Sequence, residues 1–179
     1  MANIPLVISS VKQLEYYKGL IKETSDKTID NIRDILSTKG SIESLFELKF
    51  HQVGYEPVQG YKLNLIEQLN QMFSHIVVFK AVEYLLSIYA DQTFTLNIGT
   101  TGGYDIVSLD EKIICECFAT TSPISNDKIK KDAEKLEKNT TAEKKYIVFY
   151  SYEANETTLA NLRGKHPNIT FIILENIEL

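Results

Sequence analysis

Between Lys62 and Ala90 the chain carries neither glycine nor proline. Its apolar residues recur there at helical spacing, through Leu65, Leu69, Met72, Ile76 and Phe79 and on from Glu83 to Leu86. A helix of that length is unusual in a small domain, and its composition predicts the central, mostly buried one. Straight after it the hydrophobic period changes from helical to alternating. Thr93 to Ile98 reads as a strand, Gly99 to Gly103 as a turn, Tyr104 to Leu109 as a second strand and Lys112 to Ala119 as a third, with Asp110-Glu111 as a tight hairpin turn. Ser125 is placed to cap a charged helix, NDKIKKDAEKLEK. A strand KKYIVFYSY, a polar helix from Glu156 to Lys165 stopped by Pro167, and a closing strand ITFIILENI complete the order. The late strands are apolar without alternation and are separated by helices, which predicts parallel pairing covered on both faces. The expected class is α/β, a mixed central sheet flanked by helices.

Residues 10 to 50 read as helical in three pieces: one with Val11, Leu14, Tyr17 and Ile21, one with Ile29, Ile32, Ile35 and Leu36, and, after a break at Lys39-Gly40-Ser41, a short one with Leu45, Leu48 and Phe50. Gly54, Pro57 and Gly60 mark a loop. The expected organisation is an N-terminal helical region over 1–55 and a sheet-bearing core over 60–179.

The totals narrow the field. At 179 residues with a 44% apolar fraction, the chain can bury one real core but not two full domains. The absence of a long apolar stretch and of a basic, apolar leader predicts a cytoplasmic protein that neither spans nor rests on a membrane. A net charge of -5 argues against a non-specific DNA coat, though not against an enzyme with a local basic groove. Cys115 and Cys117 point to one face of a predicted strand and read as reduced core cysteines; with three scattered histidines there are too few ligands for a zinc cluster. Gly99 to Gly103 is not followed by a helix or by Gly-Lys-Ser/Thr, so it is no nucleotide P-loop, and Ser125 lacks a positioned histidine for hydrolase chemistry.

Glu116 lies in the middle of the apolar strand KIICECFA. Ile114, Glu116 and Phe118 share one face and Ile113, Cys115 and Cys117 the other, so Glu116 is not the polar side of an amphipathic strand. A buried carboxylate must be protonated, paired or bound to a cation. With the turn at Asp110-Glu111, hairpin partners have numbers summing to about 221, which places Asp105 opposite Glu116. Carboxylates that close repel unless a proton or a divalent cation lies between them, and a Mg²⁺ or Mn²⁺ site of carboxylates, a backbone carbonyl and water accounts for the pair. The alternative is structural: Asp105 caps the Gly-Gly turn, and Glu116 pairs with a lysine of the following helix.

An acid at the start of the second strand, the Asp-x(10)-Glu spacing, and a hydrophobic third strand within the order helix, three-stranded meander, helix, strand, helix, strand together resemble the PD-(D/E)xK nuclease superfamily and its restriction-endonuclease-like fold. The resemblance covers residues 62 to 179, with residues 1–55 as an N-terminal helical extension. It implies metal-dependent phosphodiester hydrolysis of nucleic acid, double-stranded DNA in the first place, in a restriction or defence role. By position, Asp105 and Glu116 would hold Mg²⁺ or Mn²⁺ with the carbonyl of Cys117 as a third ligand. Glu67 on the long helix would add a further acid, with Glu83 in reserve and an exposed helical carboxylate as the alternative reading of Glu67. Double-strand cutters of this fold commonly pair two sites, so a homodimer is expected.

One departure from the pattern is serious: where the family has its lysine, this chain has Phe118. A lysine of the next helix substitutes in some members. On that helix Ile129, Ala133 and Leu136 form the buried stripe, Lys131 lies opposite, and Lys128 and Lys135 share a flank. Lys128, nearest in sequence to the end of the Glu116 strand, is the expected substitute. The competing functional reading is a catalytically inactive, nuclease-like DNA-binding or regulatory module, in which Phe118 marks the lost lysine.

Overall fold

In a computed structural model, residues 5–98, 102–123 and 127–179 are described. The expected cap Ser125 and most of the glycine-rich turn at 99–103 lie outside them. The chain forms two compact units, Met1–Val11 with Ile76–Leu179, and Lys12–His75. The boundary differs from the expected division at 55–60 because the first strand, β1 (Leu6–Ile8), belongs with the sheet and because the dividing point falls inside a helix.

The unit Lys12–His75 is built from α1 (Val11–Thr38), α2 (Ser41–Phe50), a two-residue hairpin of β2 (Gly54–Tyr55) and β3 (Lys62–Leu63), and the first half of α3 (Leu65–Ile88). α1 is one helix of 28 residues, not two. The polar stretch between Ile21 and Ile29 has no glycine or proline to break it, and the Thr24 and Ser25 hydroxyls bond back to carbonyls one turn earlier. Helix α3 starts where Asn64 Oδ1 accepts the Glu67 N–H at 2.9 Å. Buried Gln68 ties the unit together: its Oε1 accepts from Thr28 Oγ1 at 2.7 Å and from the Tyr55 N–H at 3.0 Å. That close approach requires glycine at position 54, since a Cβ there would collide with Gln68 Oε1.

The other unit holds a six-stranded mixed sheet in the order β1-β4-β5-β6-β7-β8. Here β4 is Phe94–Leu96, β5 Ile106–Ser108, β6 Ile113–Thr120, β7 Lys144–Ser151 and β8 Thr170–Ile173, with α4 (Lys128–Lys138) and α5 (Glu156–Lys165) in the crossovers. β1, β4, β5 and β6 pair antiparallel and β6, β7 and β8 parallel, which agrees with the expected meander followed by parallel pairing. The edge strand β1 is the one that the sequence pattern did not reveal. No helix among the described residues is long and apolar enough to cross a membrane.

In the β5–β6 hairpin, Ile106 pairs with Cys115 and Val107 with Ile114, the register expected from the turn position. The turn is held by Asp110, whose Oδ1 accepts from Ser108 Oγ at 2.6 Å and from the Lys112 N–H at 3.2 Å, while Glu111 takes a left-handed φ of 58°. On one face of β6, Ile114 and Phe118 join Ile147, Phe149 and Phe171 of the next strands under Ile129, Ala133 and Leu136 of α4 and Leu159 of α5. Phe118 stacks on Phe149 at 5.2 Å between ring centroids. Cys115 and Cys117 occupy the opposite face as free, buried thiols with sulfurs 3.6 Å apart. This core fixes β6 from both sides, so Glu116, between Ile114 and Phe118, has no route to bulk water along its own strand.

Candidate active site

Glu116 is 2% exposed and lies in the Ile147 register of the sheet, at the centre of the apolar layer beneath α4. Asp105 stands one residue before β5, where the hairpin register continues to bring it opposite Glu116. Its Oδ2 accepts the Cys117 N–H at 2.7 Å. A side chain thus takes the backbone donor that a continued ladder would use, and Asp105 is held beside Glu116. The N–H and C=O of a strand residue point the same way, so the Cys117 carbonyl is directed toward Asp105 as well.

The following helix supplies the countercharges. Since α4 returns antiparallel to β6, its first turn lies over the end of the strand and its later turns over the middle. Lys128 accordingly stands over the Phe118 ring, 5.7 Å from its centroid, and pairs with Asp132 at 2.9 Å. Lys135, two turns on, reaches Glu116 Oε1 at 2.5 Å, donates to the Gly103 carbonyl and lies 5.1 Å from the Tyr104 ring centroid. The expected substitute lysine, Lys128, is therefore not the one on Glu116; Lys135 is. Proximity in sequence favoured Lys128, but α4 must first run back along the strand before it can meet a residue at mid-strand.

Asp132 is the residue that the sequence reading missed. It is 5% exposed, and its Oδ2 has no hydrogen-bond partner. The signal was present in the spacing, since Lys128, Asp132 and Lys135 at i, i+4 and i+7 share one helix face. Glu116 Oε1 also lacks an aligned hydrogen bond. Its contact with Lys135 at 2.5 Å is an ion pair by distance.

Burial governs the protonation of the cluster. Desolvation, then the charge of Asp105, pushes Glu116 up to about 8, against the opposing effect of Lys135. Asp105 is raised by burial despite its bond from the Cys117 N–H and the charge of Lys128. Asp132 is raised by burial against its bond from Lys128. For Lys128 burial acts downward and is outweighed by Asp132, leaving it above its ordinary value. The carboxylates at 105 and 116 thus hold more protons than free ones at neutral pH, a state that a cation would reverse.

The two carboxylates and the carbonyl are hard oxygen donors of the kind that Mg²⁺ or Mn²⁺ takes, and Glu116 Oε1 has the Lys135 ammonium as its positive partner. Among the described residues, no group of three or more His, Cys, Asp or Glu side chains is placed to hold an ion. Backbone, water or substrate would have to complete a shell here. Glu67 is exposed in the first turn of α3 and belongs to the Lys12–His75 unit, while Glu83 is half-buried on the later part of α3. No family model, curated protein or solved structure matches this chain.

Proposed function

We propose that this chain is a Mg²⁺- or Mn²⁺-dependent phosphodiester hydrolase acting on nucleic acid, with double-stranded DNA as its substrate, on a core of the restriction-endonuclease-like type. The observation that carries the reading is the pair of half-buried Asp105 and buried Glu116, set opposite each other across a hairpin and approached by a helix lysine. A structural ion pair needs one carboxylate; a second one alongside raises the cost of both, which supports the reading of a site.

In this reading Asp105, Glu116 and the Cys117 carbonyl hold the divalent ion. The ion, when bound, would neutralise the phosphate and lower the pKa of a water. The Cys117 N–H keeps one oxygen of Asp105 fixed and leaves the other to face the ion. Lys135 provides the ammonium that the family places two residues after the glutamate, positioned to meet a non-bridging phosphate oxygen. Phe118 and its neighbours keep bulk water away from the inner side of the pair. Cutting both strands of a duplex calls for two sites, and we propose a homodimer; a restriction or defence role would follow from such an activity.

The placement of Lys135 also favours a second reading, an inactive nuclease-like DNA-binding or regulatory module in which that lysine simply neutralises Glu116. Metal binding separates the two. Calorimetry with Mn²⁺ on the wild-type chain and on Asp105→Ala/Glu116→Ala should give binding that the double variant loses; absence of binding to the wild type supports the inactive module.

A further inference from the structure

We infer that Lys135 is a displaceable internal cation, which occupies the charge position of the divalent ion until the ion arrives and is then released toward the substrate. The inference rests on the metal-binding reading of Asp105 and Glu116 and goes beyond it in assigning a two-position role to one side chain. Three observations carry it. Lys135 Nζ forms an ion pair with Glu116 Oε1 at 2.5 Å. It also donates to the Gly103 carbonyl and lies over the Tyr104 ring, so the ammonium is held by three acceptors of different kinds. Its side chain is 42% exposed while that of Glu116 is 2% exposed, so the head can leave toward solvent without unpacking the core.

Charge and space then force the exchange. A dication bound by Glu116 would repel an ammonium touching the same oxygen, the more so because Glu116 itself is buried. Glu116 is fixed inside the sheet and Asp105 is tied to the Cys117 N–H, whereas Lys135 is a flexible chain at the surface of α4; the lysine is the group that moves. Released from Glu116, its ammonium still lies within a side-chain length of the ion, where a phosphate would be bound. Ion binding and delivery of the lysine to the substrate become one event. Lys128 has no equivalent role, because its partner is Asp132.

The test is a Mg²⁺ titration by calorimetry at pH 8.5 on the wild-type chain, Lys135→Gln, Lys135→Arg and the exposed helix control Lys138→Gln, with DNA cleavage rates measured in parallel. Removing the competing charge should tighten Mg²⁺ binding in Lys135→Gln by about fivefold or more. Lys135→Arg, which keeps the charge, and Lys138→Gln should both stay near wild type. Cleavage should fall in Lys135→Gln although its ion binds more tightly, a combination that a merely structural lysine does not produce. Equal or weaker Mg²⁺ binding in Lys135→Gln, beside normal wild-type binding, overturns the displacement while leaving the metal site intact. Failure of the wild type itself to bind Mg²⁺ overturns the metal site and this inference with it.

Discussion

The Cys117 N–H donates to Asp105 Oδ2 at 2.7 Å, so the strand that carries Glu116 also fixes its partner carboxylate. One hairpin therefore supplies both acids and their relative position. Asp105→Ala removes this bond, at a cost of about 1–3 kcal/mol for the unsatisfied N–H, and at the same time relieves the repulsion of Glu116. The variant should keep its circular dichroism spectrum and lose calorimetric Mn²⁺ binding. Unchanged Mn²⁺ affinity would remove Asp105 from the ligand set.

Stability should depend on pH in a way that assigns each limb to a residue. Glu116 holds its proton to about pH 8 when folded against an ordinary 4.5, so its contribution is complete below 4.5 and is lost as pH rises to about 8. Burial lowers His75 from 6.5 to about 4, so its contribution is complete above 6.5 and is lost as pH falls to about 4. Between 4.5 and 6.5 the two oppose each other; from 6.5 to 8 the His75 contribution is complete and the decline comes from Glu116, coupled to its neighbour Asp105. Glu116→Gln should remove the decline of Tm between pH 6.5 and 8 and expose the acid limb of His75. A variant that declines as the wild type does contradicts the assignment.

Placing a lysine at position 118 should not raise activity. Phe118 is 5% exposed and stacks on Phe149 in the layer under α4. Phe118→Lys would put an ammonium into that layer, and Phe118→Ala alone should cost about 3–5 kcal/mol by cavity formation. Thermal melts should show both variants well below the wild type. A stable, more active Phe118→Lys would show that the layer has room for the lysine and that Lys135 is dispensable.

The two helix lysines should separate kinetically. Lys135→Ala takes away the cation on Glu116 and should lower the cleavage rate by about a hundredfold or more, the usual loss for one donor to a developing oxyanion. Lys128→Ala leaves Asp132 buried without its partner and should act mainly on Tm. Equal rate losses in single-turnover assays would contradict this division of roles.

The hairpin at the site was legible in the sequence, because a tight turn at Asp110-Glu111 sets every pairing across it and the strand alternation then fixes which side chains share a face. Glu116 stood out for the same reason: it interrupts the apolar face shared by Ile114 and Phe118. The choice between Lys128 and Lys135 was not legible, since it depends on the direction in which α4 crosses β6, a tertiary property. Asp132 was hidden by composition, for one more acid in a helix of lysines and glutamates reads as surface until the packing buries it. The strand Leu6–Ile8 was missed because three residues carry too little period to distinguish an edge strand from a tail.

The most direct measurement is cleavage of supercoiled and linear DNA, beside a structured RNA, by the purified chain with Mg²⁺, Mn²⁺ or EDTA and with Asp105→Ala/Glu116→Ala as control. Metal-dependent cutting of DNA by the wild type, absent in EDTA and in the double variant, is the predicted result. No cutting of any substrate, together with no Mn²⁺ binding by calorimetry, would contradict the account and leave Lys135 as the permanent partner of Glu116.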